Sequence, residues 1–172
     1  MEFHGSLQII AEIGLGLAGF SGLIVALRKD VGPLTAVQKY RLQILLSLAF
    51  GAMFLSFLPE LLFSFGTDPQ DVWRLSSACL SIYSTLFLIW WIRESLYIKD
   101  ANPELFNWFA FSRMVAGHVV IIFMQLSSVF SIFDFAVDAT YVVALIWYLL
   151  HSVQQFTRML FVQPKMSDSA SD

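Results

Sequence analysis

Long apolar runs recur along this chain and dominate what it can fold into. They cover 7–27, 42–63, 74–97, 114–133 and 137–160. Each reaches the roughly 20 residues that a helix needs to cross the hydrocarbon of a bilayer. In lipid every backbone N–H and C=O must be satisfied within the protein, and an α-helix does this inside one segment. The expected fold is therefore an all-α integral membrane protein, a bundle of five transmembrane helices. It forms a single domain over 1–162, with 163–172 as a polar, disordered cytoplasmic tail. Composition agrees: 58% of residues are hydrophobic and 13% charged, against about a quarter charged in soluble domains. With a mean hydropathy of +0.71, a soluble catalytic domain has no place in the chain.

The breaks between runs are legible. Gly32-Pro33 interrupts the first connection, and Thr35 followed by Gln38 has the spacing of a capping box that starts the second helix early. Gly66-Thr67-Asp68-Pro69 ends that helix. Asn102-Pro103-Glu104 reads as a helix start with Pro at its first position, leading into a stretch over 105–111 along the interface. Residues 134–138 read as the turn between the last two helices.

Basic residues give the orientation, because cytoplasmic loops are enriched in Lys and Arg. Five spans put Arg28, Lys29, Lys39, Arg41, Arg93, Lys99, Arg113, Arg158 and Lys165 at one end and leave Arg74 alone at the other. The N-terminus is then expected outside and the C-terminus in the cytoplasm. Trp73, Trp90, Trp91, Trp108, Tyr40 and Tyr97 fall near the span ends, where an aromatic belt is expected. The first residues lack the basic region and cleavage site of a signal peptide, so helix 1 is expected to remain as an anchor. Compact loops suit a bacterial cytoplasmic membrane. The single cysteine, Cys79, has no partner for an internal disulfide.

Within helix 1 stands a carboxyl group, Glu12, among Gly5, Gly14, Gly16, Gly19 and Gly22. Charged groups inside spans usually face a protein interior or a watery cavity, and small residues let helices approach closely. At 100° per residue Gly5, Gln8, Glu12, Gly16 and Gly19 share one stripe, with Gly14, Ala18 and Ser21 opposite. A helix small on so much of its circumference is expected at the centre of the bundle, with Gly14, Gly16, Gly19 and Gly22 as packing positions. On helix 2, Ala49, Ala52, Ser56 and Glu60 share a face, and Pro59 precedes the Glu. Helices 1 and 2 run oppositely, so Glu12 and Glu60 lie at similar depth. With Gln8 they are candidates for an ion or proton site; plain packing of helix 1 and snorkelling of Glu60 to the surface are the alternatives. Helix 3 adds a stripe of Ser77, Ser81 and Ser84.

The other pair is His118 and His151. Counted from the turn near residue 136, they stand within about one helical turn of each other in depth. Neutral imidazoles on facing helices are candidates for axial ligation of a haem b iron or for a proton path. A core position for both histidines is the plainer alternative. No catalytic residues are identified: HExxH, CxxC, GxSxG and phosphate-loop patterns are all absent, and no metal-ligand spacing occurs. Basic residues confined to a membrane rim argue against nucleic acid and for lipid headgroups. The favoured reading is a small, non-enzymatic homo-oligomer, an ion channel if it conducts. A haem- or quinone-associated redox subunit and an accessory or assembly subunit binding another membrane protein are the alternatives.

Overall fold

The computed structural model describes residues 4–27, 33–101, 103, 106–133 and 136–161. These form five α-helices: α1 (His4–Leu27), α2 (Ala36–Ser64), α3 (Pro69–Ala101), α4 (Trp108–Phe130) and α5 (Val137–Phe161). No strand occurs among the described residues. The tail expected over 163–172 lies outside them, as do Asn102 and Glu104.

Four helices, α1 to α4, are long and apolar enough to cross a membrane. The distribution of side chains fits that solvent. Large apolar residues such as Phe54, Phe57, Ile82, Leu86, Val120 and Phe123 are exposed on the outside, while Ser76, Ser84, His118, Gln125, Ser128 and Ser152 are buried. A soluble protein sorts these classes the other way. The helices form an apolar membrane bundle with a polar-seamed interior.

Local rules explain the ends. The Thr35 side chain accepts from the Gln38 N–H while the Gln38 side chain accepts from the Thr35 N–H, the reciprocal capping box expected from the spacing. Asn107, not Asn102, caps α4: its side-chain oxygen accepts from Ala110 N–H at 3.1 Å. The helix start read at Pro103, ahead of the fourth span, falls mostly on residues outside the described ones. α4 stops at Ser131, which takes the left-handed conformation at φ 52°. The turn into α5 therefore begins three residues earlier than the expected 134.

Consecutive helices run antiparallel, as their cross-contacts require. Tyr40 bonds Ser95 across α2 and α3, and Tyr83 Oη donates to the Ser47 carbonyl at 2.5 Å. Arg74 donates to Ser131 across α3 and α4 at 2.8 Å, and Gln125 donates to the Thr140 carbonyl across α4 and α5 at 2.9 Å. The helix that meets all others is α5, which packs on α1, α2, α3 and α4. Helix 1 is not central. It touches only α2 and α5, and much of its surface is exposed. Its inward face carries Leu7, Ile10, Gly14, Ala18 and Ser21; the stripe with Gln8 and Glu12 points away from the bundle. The expectation failed because small residues allow close approach without saying from which side.

α5 holds its place partly through a defect in α2. Pro59 has no N–H, so the Leu55 carbonyl four residues back loses its helical partner. Tyr141 Oη of α5 donates to that carbonyl at 2.7 Å. Two glycines make room for rings from neighbouring helices. A Cβ on Gly51 would stand 2.6 Å from the Tyr83 ring, and one on Gly117 would stand 2.1 Å from Trp147.

Two stability outcomes follow. Tyr141→Phe leaves the Leu55 carbonyl without a donor and is expected to cost about 1 kcal/mol, read as an unfolding free energy in bicelles. Gly117→Ala is expected to cost about 1–3 kcal/mol by overpacking. Gly19→Ala, with nothing within 4 Å of its Cβ position, should stay within about 0.5 kcal/mol of the parent.

Candidate functional site

Two places gather the polar residues singled out in the sequence. The first lies between the N-terminal half of α1 and the C-terminal part of α2. Gly14 sets the spacing: its Cβ position is 2.7 Å from the Ala49 carbonyl, so α1 lies directly on the α2 backbone. Toward the helix ends the two separate around a hollow of about 450 Å³, open to the outside. Gln8, Glu12, Ser56 and Glu60 line it together with Leu15 and Phe57. Gln8 Nε2 donates to Glu12 Oε1 at 2.9 Å, one helical turn apart on an exposed face. Ser56 is buried and its hydroxyl donates back to the Ala52 carbonyl at 2.6 Å. The hollow thus draws its chemistry from two carboxyl groups and one amide.

The three candidates for an ion or proton site therefore border one space. Depth supports the grouping: Glu12 lies eight residues into α1, about 12 Å along its axis, and Glu60 lies four residues before the end of α2. The glycines divide differently from expectation. Gly14 packs, whereas Gly5, Gly16, Gly19 and Gly22 have nothing within 4 Å of their Cβ positions. These four do not serve packing within the bundle, because they sit on faces of α1 that no other helix covers.

The second place is the interior, where the polar faces of α4 and α5 meet. His118 is 0% exposed and His151 is 4% exposed. Their rings stack with centroids 5.2 Å apart and planes 26° from parallel. Phe87, Trp91, Trp147 and Tyr148 surround His118 at 5.4 to 6.4 Å between ring centroids. His118 Nδ1 lies 3.1 Å from the Met114 carbonyl. A carbonyl only accepts, so Nδ1 carries the proton and Nε2 is left with a lone pair. That Nε2 and His151 Nδ1 have no partner among the described residues.

Two helical turns toward the other end, Gln125 reaches Thr140, and the Ser128 hydroxyl lies 3.2 Å from that of Thr140. His118 and His151 meet, as their depths along the hairpin require. The joint is a packed aromatic box. Two imidazoles that share an iron approach it edge-on from opposite sides of the macrocycle; here they lie face to face, with no slot between them for a planar group. Among the described residues no three His, Cys, Asp or Glu side chains gather to hold a metal.

Trp91 is buried in this box, and Trp73 and Trp90 are half-buried, so these three belong to the packing rather than to a belt. Trp108 and Tyr97 are exposed. Sequence reasoning missed Gly51, Gly117 and Tyr141. Pro59 implies an orphaned carbonyl at Leu55, a signal left unused in the sequence, and its donor is visible only once α5 is packed against α2. No family model matches the chain, no curated protein matches it, and no solved structure matches it.

The stacked geometry makes a spectroscopic outcome testable. Protein purified from haem-replete cells is expected to lack a Soret band. A band that His118→Ala or His151→Ala removes would show that the rings part to admit the macrocycle.

Proposed function

We propose that this chain is a five-span membrane protein, not an enzyme, whose copies associate through α1 around a cation or proton site formed by Gln8, Glu12 and Glu60. The fifth span is α5. It has 25 residues, about 37 Å of helix, but no membrane-length stretch as apolar as those of the other four, because it carries Thr140, His151, Ser152 and Gln155. All four are buried, so the lipid meets Val143, Ile146 and Leu150 instead. The asymmetry of basic residues supports the orientation, with the start of α1 outside and the end of α5 in the cytoplasm.

The observation that carries the reading is where Glu12 stands. A carboxyl group facing lipid is unfavourable by about 2.5–3.5 kcal/mol or more on insertion scales. Glu12 is on the outward side of α1, bonded only to Gln8, beside a hollow shared with Glu60. Around it the outward glycines leave the backbone open to close approach. A second copy laid against this face removes the carboxyl from lipid and closes the hollow into a water-holding space. Carboxylates repeated by symmetry around such a space favour cations.

The test is potassium and proton flux into proteoliposomes, paired with subunit counting by native mass spectrometry. The parent protein is expected to conduct. Glu12→Gln and Glu60→Gln are each expected to lower flux at least about tenfold, as removal of a charged ligand does. Gly19→Leu is expected to shift the protein toward the monomer. A monomeric parent that carries no ion would sink the proposal, and a distinct co-purifying membrane protein lost on Gly19→Leu would favour the accessory-subunit reading.

A further inference from the structure

The opposite end of the bundle holds a hollow of about 100 Å³ with the reverse chemistry. The start of α2, the end of α3, the start of α4 and the end of α5 enclose it. Arg41, Ser95, Asn107, Gln155 and Arg158 supply its polar lining. Arg41 does not reach outward to solvent. Its Nη1 donates to the Arg158 backbone carbonyl at 3.2 Å, folding the side chain over the end of α5. Both arginines are half-buried. The charge that acts on Arg41 is that of Arg158, a like charge. Glu94 acts on Tyr40 at the wall, and among the described residues neither guanidinium meets a carboxylate.

Two facing cations without an anion are unfavourable in a half-buried setting. The donors around them are idle as well. Gln155 is 4% exposed, yet its amide has no hydrogen bond to any described residue. The Asn107 oxygen is used in capping α4, which leaves its NH₂ free. α4 begins at this hollow and directs the positive end of its dipole into it. Tyr40 and Ser95 are bonded to each other and form the wall. The site is thus rich in unspent donors, and two of them are planar forks that match a tetrahedral oxyanion.

We infer that this hollow binds a phosphate group, gripped by Arg41 and Arg158 and completed by the Gln155 amide. Its volume leaves room for little beyond one phosphate, and two arginines with no counter-charge among the described residues favour a phosphate whose headgroup keeps a net negative charge. Placement at the end of the apolar belt favours the phosphate of an anionic phospholipid over the free ion. Ile44, Met114 and Phe106 line the same hollow and extend toward the belt. The site stands apart from the reading of Glu12, which lies at the other end of the bundle.

The experiment uses the full chain in a neutral detergent. Inorganic phosphate is titrated in one arm and phosphatidylglycerol in the other, with phosphatidylcholine, whose phosphate is paired with its own ammonium, as the zwitterionic comparison. Unfolding temperature and lipid retained in native mass spectra are read. Phosphatidylglycerol is expected to raise the unfolding temperature and stay bound, and phosphatidylcholine to do neither. Arg158→Gln and Gln155→Leu are each expected to weaken the lipid about tenfold, the loss of one good charge-assisted or amide contact. Arg158→Lys keeps the charge and the fold but loses the fork, and should fall between the parent and Arg158→Gln. Stabilisation by inorganic phosphate with no retained lipid would keep the site and assign it to the free ion. An equal loss from Arg93→Gln, an exposed rim residue outside the hollow, would mean a diffuse basic surface and overturn the inference, as would no response to either ligand.

Discussion

A backbone polar group inside this bundle must find its partner in the bundle, because the surrounding lipid offers none. The contact between Tyr141 and the Leu55 carbonyl shows how far that constraint reaches. Pro59 breaks the hydrogen-bond ladder of α2, and a hydroxyl from a helix more than eighty residues away repairs it. The same helix sends Ser152 to the Leu45 carbonyl and Tyr148 to Ser84. α5 joins its neighbours through polar groups that a lipid-facing helix could not carry. This is why α5 meets every other helix, while the glycine-rich α1 lies at the side.

Much of the architecture was readable before any coordinates. Run length gave five helices, four of which are long and apolar enough to span, and the Thr35 and Gln38 spacing gave the start of α2. Depth counted from the last turn brought His118 to His151. Helical phase could not tell which face of α1 turns inward. Gly14 and Gly16 are equally small, and a glycine suits a packed helix within the chain as well as a surface left open. The difference lies in Ala49 and Met53, which crowd Gly14 and have no counterpart beside Gly16. Gly51 and Gly117 escaped notice for the converse reason. A lone glycine carries no period, and its meaning comes from the ring of Tyr83 or Trp147 that another helix brings to it.

The polar residues separate into three environments along the bundle. Carboxyl groups border a hollow at one end, and arginines with idle amides line a smaller one at the other. Between them the imidazoles are buried among aromatic rings. Opposite charges thus gather at opposite ends of an apolar waist.

Pro59 has a mechanical consequence as well as a chemical one. At the last turn of α2, which carries Glu60, one bond of the backbone ladder is missing, and the Tyr141 clamp stands on the turn before. That turn is a short lever with its pivot at the proline and its fulcrum on α5. A tilt of α5 is therefore transmitted to one wall of the carboxylate hollow, while the other wall moves with α1. The width of the opening is set by three helices, although only two of them line it.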